Sequence, residues 1–177
     1  FYRDPFWTVQ RTCIVSLFLL CAGAGQALAV DAGQSWVRFG RRWMQIAVCA
    51  LLVSAGSALM FPRSWISFGV LHGMALMLPA VRALALAFAR RRGLLMLLGA
   101  VAVALPLLVR HPFFDTRLTN WIGLVTRKPV TEDFVPVLPW LGVMLWGYAA
   151  GDGLARRRAV IVGAVSPAMR ALAMIGR

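Results

Sequence analysis

Long apolar stretches separated by short charged ones are the main pattern along the chain. A helix of about 20 apolar residues crosses a hydrocarbon core about 30 Å thick. Such a segment must satisfy its backbone hydrogen bonds internally, which a helix does. The pattern predicts five transmembrane helices, at residues 12–30, 43–61, 65–88, 93–109 and 138–154. We therefore expect an all-α fold, a polytopic transmembrane bundle of about five to six helices forming a single membrane domain.

The stretch at residues 159–175 continues the apolar pattern but contains Pro167 and Arg170. Proline interrupts a regular helix, and arginine is costly within the bilayer core. The pattern leaves two interpretations open for this stretch, an interfacial helix and the lead-in to a sixth span. The sequence starts at Phe1 and ends at Arg177, and we expect it to be the central part of a longer protein.

One connection, residues 110–137, is much longer than the others. A loop of this length within a compact domain is usually functional or disordered. Its aromatic residues argue against disorder, because disordered segments contain few of them. They are Phe113, Phe114, Trp121 and Phe134. The sequence therefore predicts an ordered loop that caps one end of the bundle.

The composition agrees with a membrane protein, since 60% of the residues are hydrophobic and 14% are charged. Soluble domains have about 45–50% apolar and about 25% charged residues. The net charge of +13 would suggest nucleic-acid binding in a soluble protein. Here the cations lie between apolar stretches, and no basic groove with stacking aromatic residues is evident. We expect a lipid bilayer as the partner, and no nucleic acid.

The distribution of arginine predicts the orientation in the membrane, because cytoplasmic loops carry an excess of Lys and Arg. One side of the bundle collects Arg38, Arg41, Arg42, Arg82, Arg90, Arg91, Arg92, Arg156, Arg157 and Arg158. This side is expected to be cytoplasmic, with Arg82 snorkelling to the interface and needing no functional role. The loop at 110–137 then lies on the outer face, and in a bacterium the membrane would be the cytoplasmic (inner) membrane.

His72 is the first candidate for chemistry, because ionisable groups within a membrane are often functional. It falls in the third predicted span, between Gly69 and Gly73, whose spacing allows a neighbouring helix to approach closely. A neutral imidazole there could act as a general base or nucleophile. It could equally do no more than hydrogen-bond a neighbouring helix, and both interpretations stay open.

Glu132 and Asp133 form an adjacent pair of carboxylates near the end of the long loop. Two carboxylates buried together can do acid–base work, since like charges raise one pKa. If exposed, they would only balance Arg127 and Lys128. Arg3 and Asp4, before the first span, are expected on the same outer face, where a site role and a surface role are both open.

Several motifs of known enzyme classes are absent from the sequence. It contains no HExxH, GxSxG, Walker or GxGxxG motif, which disfavours zinc proteases, α/β-hydrolases and P-loop enzymes. We expect no metal site.

Several short motifs in a fixed order carry a family resemblance. They are NWIGLVT at 120–126, TEDF at 131–134, PVLPWLG at 136–142 and FGVLH at 68–72. Together they resemble bacterial members of the heparan-alpha-glucosaminide N-acetyltransferase catalytic-domain family. The resemblance extends over nearly the whole chain.

The resemblance implies a multi-helix membrane acyltransferase. Members of that family take acetyl from cytoplasmic acetyl-CoA, here the implied donor substrate, and pass it to an amino sugar on the far side of the membrane. The family's acetyl-carrying histidine belongs to an opening helix that would lie before Phe1. His72 is therefore not assigned that role.

Two hypotheses follow for the function. In the first, a membrane acyltransferase uses His72, Glu132 and Asp133 as catalytic residues lining an outward-facing cavity for a sugar or glycan acceptor. The residues expected to bind the substrate at its mouth are Arg3, Asp4, Asn120 and Trp121. In the second, the protein is a non-catalytic carrier or assembly subunit for envelope glycans or lipids. A homodimer is left open in both.

Overall fold

The computed structural model describes the backbone of residues 5–88 and 91–175, and the side chains of these residues up to 157. It contains five α-helices: α1 (Pro5–Asp31), α2 (Trp36–Met60), α3 (Val70–Ala87), α4 (Arg92–Leu108) and α5 (Val137–Ile175). Two short 3₁₀ turns, Pro112–Asp115 and Asn120–Ile122, lie in the long loop. No β-strand occurs within these ranges, and the all-α prediction is confirmed.

Three of the helices, α1, α2 and α3, are long and apolar enough to cross a membrane. The fourth, α4, is apolar but shorter. These helices follow the predicted apolar stretches because burial of apolar side chains in the bilayer and internal backbone hydrogen bonding both favour a helix there.

Three helix starts differ from the prediction: α1 begins at Pro5 instead of residue 12, and the starts of α2 and α3 are shifted as well. Helix α2 begins at Trp36, where the Ser35 hydroxyl accepts a hydrogen bond from the Arg38 N–H at 3.3 Å. Its first turns carry arginines, so an apolar pattern alone does not detect them. Helix α3 begins only at Val70, because the residues before it are extended and pair with the long loop.

Helix α5 joins the stretches predicted at 138–154 and 159–175 into one helix that ends at Ile175. The stretch at 159–175 is therefore helical and continuous with α5, and its two interpretations, an interfacial helix and the lead-in to a sixth span, stay predictions. The side chains of this part, including Pro167 and Arg170, lie outside the described residues.

Helices α1 and α5 run parallel and in close contact. The α-carbon of Gly23 faces the backbone of Met144 and Tyr148, and that of Gly147 faces the backbone of Leu20. Small residues at such positions let two helices approach closely. Helix α4 packs on another side of α5, with Gly99 against Gly142.

The bundle has two ends that differ in character. The loop end contains the start of α1, the end of α2, the start of α3 and the loop at 110–137. The arginine end contains the α1–α2 turn, the end of α3 and the start of α4, together with the part of α5 around Arg156.

A tryptophan joins α2 to α3 at the point where a proline interrupts α3. Pro79 has no N–H, so the Ala75 carbonyl lacks its usual donor in the helix. The Trp43 indole Nε1–H donates to that carbonyl at 2.7 Å. The two helices are thus linked where α3 is weakest.

Trp43→Phe is expected to destabilise the protein by about 1–3 kcal/mol, because it leaves the Ala75 carbonyl without a partner in an apolar environment. Thermal unfolding in detergent measures the effect. Trp36→Phe is the matched control, since the Trp36 ring stacks on Arg82 at 4.6 Å, a contact that phenylalanine can keep. Equal unfolding temperatures for the two variants would contradict the prediction.

Candidate functional site

The last part of the long loop pairs with the segment before α3. The Glu132 N–H donates to the Ser64 carbonyl at 3.0 Å, and the Val135 N–H donates to the Phe68 carbonyl at 3.3 Å. An isolated parallel bridge joins Phe68 and Phe134. This pairing fixes the direction in which residues 131–135 present their side chains.

Asp133 caps the first turn of α3. Its Oδ2 accepts a hydrogen bond from the Val70 N–H at 2.8 Å. A carboxylate is favourable there because the N-terminus of a helix carries partial positive charge. The carboxylate lies against Gly69, and Val135 lies against Gly73. The prediction that Gly69 and Gly73 accommodate a neighbouring helix is therefore wrong: the neighbour is an extended loop segment.

Both ring nitrogens of His72 take part in hydrogen bonds. Nδ1 accepts from the Gly69 N–H at 3.3 Å. Because Nδ1 accepts, the neutral ring carries its proton on Nε2, which lies 3.0 Å from Ser54 Oγ. The Ser54 hydroxyl in turn donates to the Ile66 carbonyl at 2.7 Å. His72 therefore ties α2, the segment before α3 and α3 together, and its catalytic role stays a prediction.

A cavity of about 860 Å³ opens at the loop end, between the start of α1, the long loop and the start of α5. Its lining contains aromatic rings, cations and both predicted carboxylates. The lining residues are Trp7, Thr8, Arg11, Thr12, Ile14, Val15, Lys128, Glu132, Asp133, Phe134, Val135 and Trp140. Of the predicted catalytic residues that the structure describes, Glu132 and Asp133 line the cavity, whereas His72 lies outside its lining.

The two carboxylates are held by different donors. Glu132 Oε1 accepts from the Ser64 hydroxyl at 2.6 Å, whereas Asp133 accepts from the α3 backbone. Lys128 lies in the same lining, and burial lowers the pKa of its ammonium. Arg11 lowers this pKa further, while Asp133 opposes the shift. The cavity therefore holds charges of both signs close together.

Asn120 and Trp121 lie outside the cavity lining. The Asn120 side chain is 1% exposed, and neither of its polar atoms has a hydrogen-bond partner in the described part of the chain. The Trp121 ring packs against Phe68 with centroids 6.4 Å apart, and Phe68 lies 5.8 Å from the His72 ring. Their assignment to substrate binding stays a prediction. Arg3 and Asp4 lie outside the described residues.

Asp115 closes the long loop, a role that the sequence analysis did not identify. Its carboxylate accepts from the Thr126 N–H at 2.7 Å, from the Thr126 hydroxyl and from the Arg127 N–H at 3.3 Å. The Thr126 hydroxyl bond is the largest cause that lowers the pKa of this carboxyl. These bonds keep residues 115–127 in one ordered arrangement.

Trp7, Arg11 and Trp140 also line the cavity and were not among the predicted site residues. Trp7 and Arg11 lie on α1, far in sequence from the loop carboxylates. A tryptophan close to the membrane interface is usually interpreted as an anchor. No group of three or more His, Cys, Asp or Glu side chains suited to a metal occurs among the residues described.

A family model described as Heparan-alpha-glucosaminide N-acetyltransferase, catalytic, matches residues 1–177, the whole chain. No curated protein and no solved structure was found to match the chain. The matched range includes the helices as well as every residue that lines the cavity at the loop end.

Proposed function

Because the chain belongs to the heparan-alpha-glucosaminide N-acetyltransferase catalytic family, we propose that it is a membrane-embedded acyltransferase. It passes an acetyl group from acetyl-CoA to a sugar or envelope-glycan acceptor across the membrane. The observation that carries the proposal is the cavity at the loop end, which combines carboxylates with tryptophan rings.

The cavity is suited to a small polar acceptor. Its volume of about 860 Å³ lies within the range of ligand pockets, about 300–1,000 Å³. Trp7 and Trp140 offer flat apolar surfaces for the C–H faces of a sugar ring, and Glu132 and Asp133 offer acceptors for its hydroxyl or ammonium groups. This combination of apolar walls and few polar groups is typical of a binding site.

Acyl transfer requires a group that takes the proton from the acceptor. On the cytoplasmic side, the acetyl carbonyl carbon bonds to the nitrogen of the family's acetyl-carrying histidine as its bond to the coenzyme A sulfur breaks, and coenzyme A is released as the thiol. On the outer side, the acceptor nitrogen or oxygen bonds to the same carbon, its bond to the histidine nitrogen breaks, and the acceptor proton passes to a base. A positioned base contributes about 10²–10⁴-fold to such a step. We assign this role to Asp133, with Glu132 beside it and His72 behind it on α3.

The proposed orientation places the loop end outside and the arginine end in the cytoplasm, in a bacterial cytoplasmic membrane. The arginines at the α1–α2 turn, the α3–α4 turn and on α5 support this orientation. The acceptor cavity would then open to the outer face, opposite the side on which acetyl-CoA is present.

Labelled acetyl-CoA supplied to membranes containing the protein tests the function. We expect the label on an added amino sugar or glycan acceptor, and none with membranes that lack the protein. If no sugar acceptor of those tested receives the label, the proposal is contradicted.

A second candidate function is a non-catalytic carrier or assembly subunit for envelope glycans or lipids. The hydrogen bonds at both nitrogens of His72 favour it, because a histidine that only joins neighbouring segments would make such bonds. If the protein is such a subunit, His72→Ala leaves its function intact, and substitutions at Gly69 or Gly147 disturb assembly. If the protein is a transferase, we expect His72→Ala to lose acetyl transfer.

A further inference from the structure

A second, smaller cavity of about 390 Å³ lies at the arginine end, where the α1–α2 turn meets the first turns of α2. Three of its lining residues are arginines, and the rest are two alanines and a glutamine. The lining residues are Ala29, Ala32, Gln34, Arg38, Arg41 and Arg42. The charged groups in this lining are therefore all cationic.

Buried Arg82 fixes the glutamine of this cavity. Its Nη1 donates to Gln34 Oε1 at 2.8 Å, and its Nη2 donates to the Gln34 main-chain carbonyl at 2.7 Å. Since Arg82 already binds the side-chain oxygen of Gln34, the amide NH₂ is the group left to face a ligand. The polar side-chain groups of the lining are thus hydrogen-bond donors.

Arg82 also adds a fourth positive charge behind the cavity. The prediction that it snorkels to the interface is wrong, because its side chain is 3% exposed and its guanidinium stacks on Trp36 and Phe39 at 4.6 and 4.7 Å. Its Nε has no hydrogen-bond partner in the part of the chain that the structure describes. A buried guanidinium bound only to neutral groups makes the potential at Gln34 more positive.

Arg38 occupies an unfavourable place in the first turn of α2, and Arg41 and Arg42 follow in the next turn. The N-terminus of α2 carries partial positive charge, and its first turn contains no acidic residue. Asp31 is the nearest carboxylate in sequence, but the only ion pair within the described residues joins Asp152 and Arg156. A bound anion would offset this concentration of positive charge.

We propose that this arginine cavity binds a phosphate group carried by the acyl donor's nucleotide or by an anionic phospholipid headgroup. The planar guanidinium offers paired N–H donors that match phosphate oxygens. Arg38, Arg41 and Arg42 together can surround a phosphate or diphosphate. The nucleotide source rests on the proposed function, whereas the lipid source is independent of it.

Arginine-to-lysine variants distinguish phosphate binding by these arginines from a role that only sets the orientation in the membrane. Arg38→Lys and Arg41→Lys keep the positive charge that sets orientation but lose the paired donors of guanidinium. Arg157→Lys is the matched control, at the same end but outside the cavity lining. Binding is measured by thermal shift, with coenzyme A and inorganic pyrophosphate added to the detergent-solubilised protein. The lipid arm compares nanodiscs of phosphatidylglycerol with nanodiscs of phosphatidylcholine.

We expect one probe to raise the unfolding temperature, and Arg41→Lys to weaken its binding about tenfold, the effect of losing one bidentate charge-assisted contact. A response to coenzyme A assigns the nucleotide source, and a response to phosphatidylglycerol alone assigns the headgroup. No response to any probe, or equal weakening in Arg157→Lys, overturns the proposal. Acetyl transfer without such binding would leave the proposed function standing, so the two failures are distinguishable.

Discussion

Asp133→Asn is expected to lower the rate of acetyl transfer by about 10²–10⁴-fold, the contribution of a positioned general base, with little loss of stability. The asparagine side-chain oxygen can still accept the Val70 N–H bond that Asp133 accepts at 2.8 Å. The variant therefore removes the base and retains the cap. Transfer from labelled acetyl-CoA and thermal unfolding are measured on the same preparation.

Two further variants show whether a loss of activity in Asp133→Asn comes from the loss of the base. Asp133→Ala removes both functions, and we expect it to lose about 1–3 kcal/mol of stability as well as activity, because the Val70 N–H is left without its acceptor. Glu132→Gln is the matched control, since Glu132 lines the same cavity but binds the Ser64 hydroxyl. Full activity in Asp133→Asn would exclude Asp133 as the base, and an equal loss in Glu132→Gln would show that the charge of the pair matters rather than one carboxylate.

The helices were predictable because their physical cause is visible in the sequence. An apolar stretch of membrane length forms a helix with little dependence on the rest of the chain. The start of α2 was missed because its first turns carry Arg38, Arg41 and Arg42, and it depends on the Ser35 cap. The start of α3 depends on pairing with residues far away in sequence, which no local pattern can indicate.

The candidate site was predictable only in part, for the same reason. Glu132 and Asp133 were selected from chemistry, and the structure places both in the cavity lining. His72 is not in that lining, and its ring nitrogens are instead bonded to Ser54 and to the Gly69 N–H. Trp7 and Arg11 reach the cavity because α1 packs along α5. A hydropathy pattern does not predict which helices pack together, so this contact could not be predicted from it.

Gly23→Ala is expected to destabilise the protein by about 1–3 kcal/mol or more, because an added methyl group overpacks the interface of α1 and α5. A Cβ at Gly23 would meet the Met144 carbonyl oxygen and the Tyr148 nitrogen, which are backbone atoms of α5. Backbone atoms cannot turn aside as a side chain can, so the helices must separate. Thermal unfolding in detergent measures the loss of stability.

Gly25→Ala is the matched control, because Gly25 lies two residues further along the same helix and on its opposite side. No atom lies within 4 Å of a Cβ built at Gly25, so the added methyl group meets open space. Alanine favours a helix over glycine by about 1 kcal/mol, and we expect an unchanged or slightly higher unfolding temperature. Because α1 also carries Trp7 and Arg11 into the cavity lining, separation of α1 from α5 should reduce acetyl transfer in Gly23→Ala but not in Gly25→Ala. Equal behaviour of the two variants would mean that α1 and α5 do not pack through Gly23, and the shape of the cavity would then need another support.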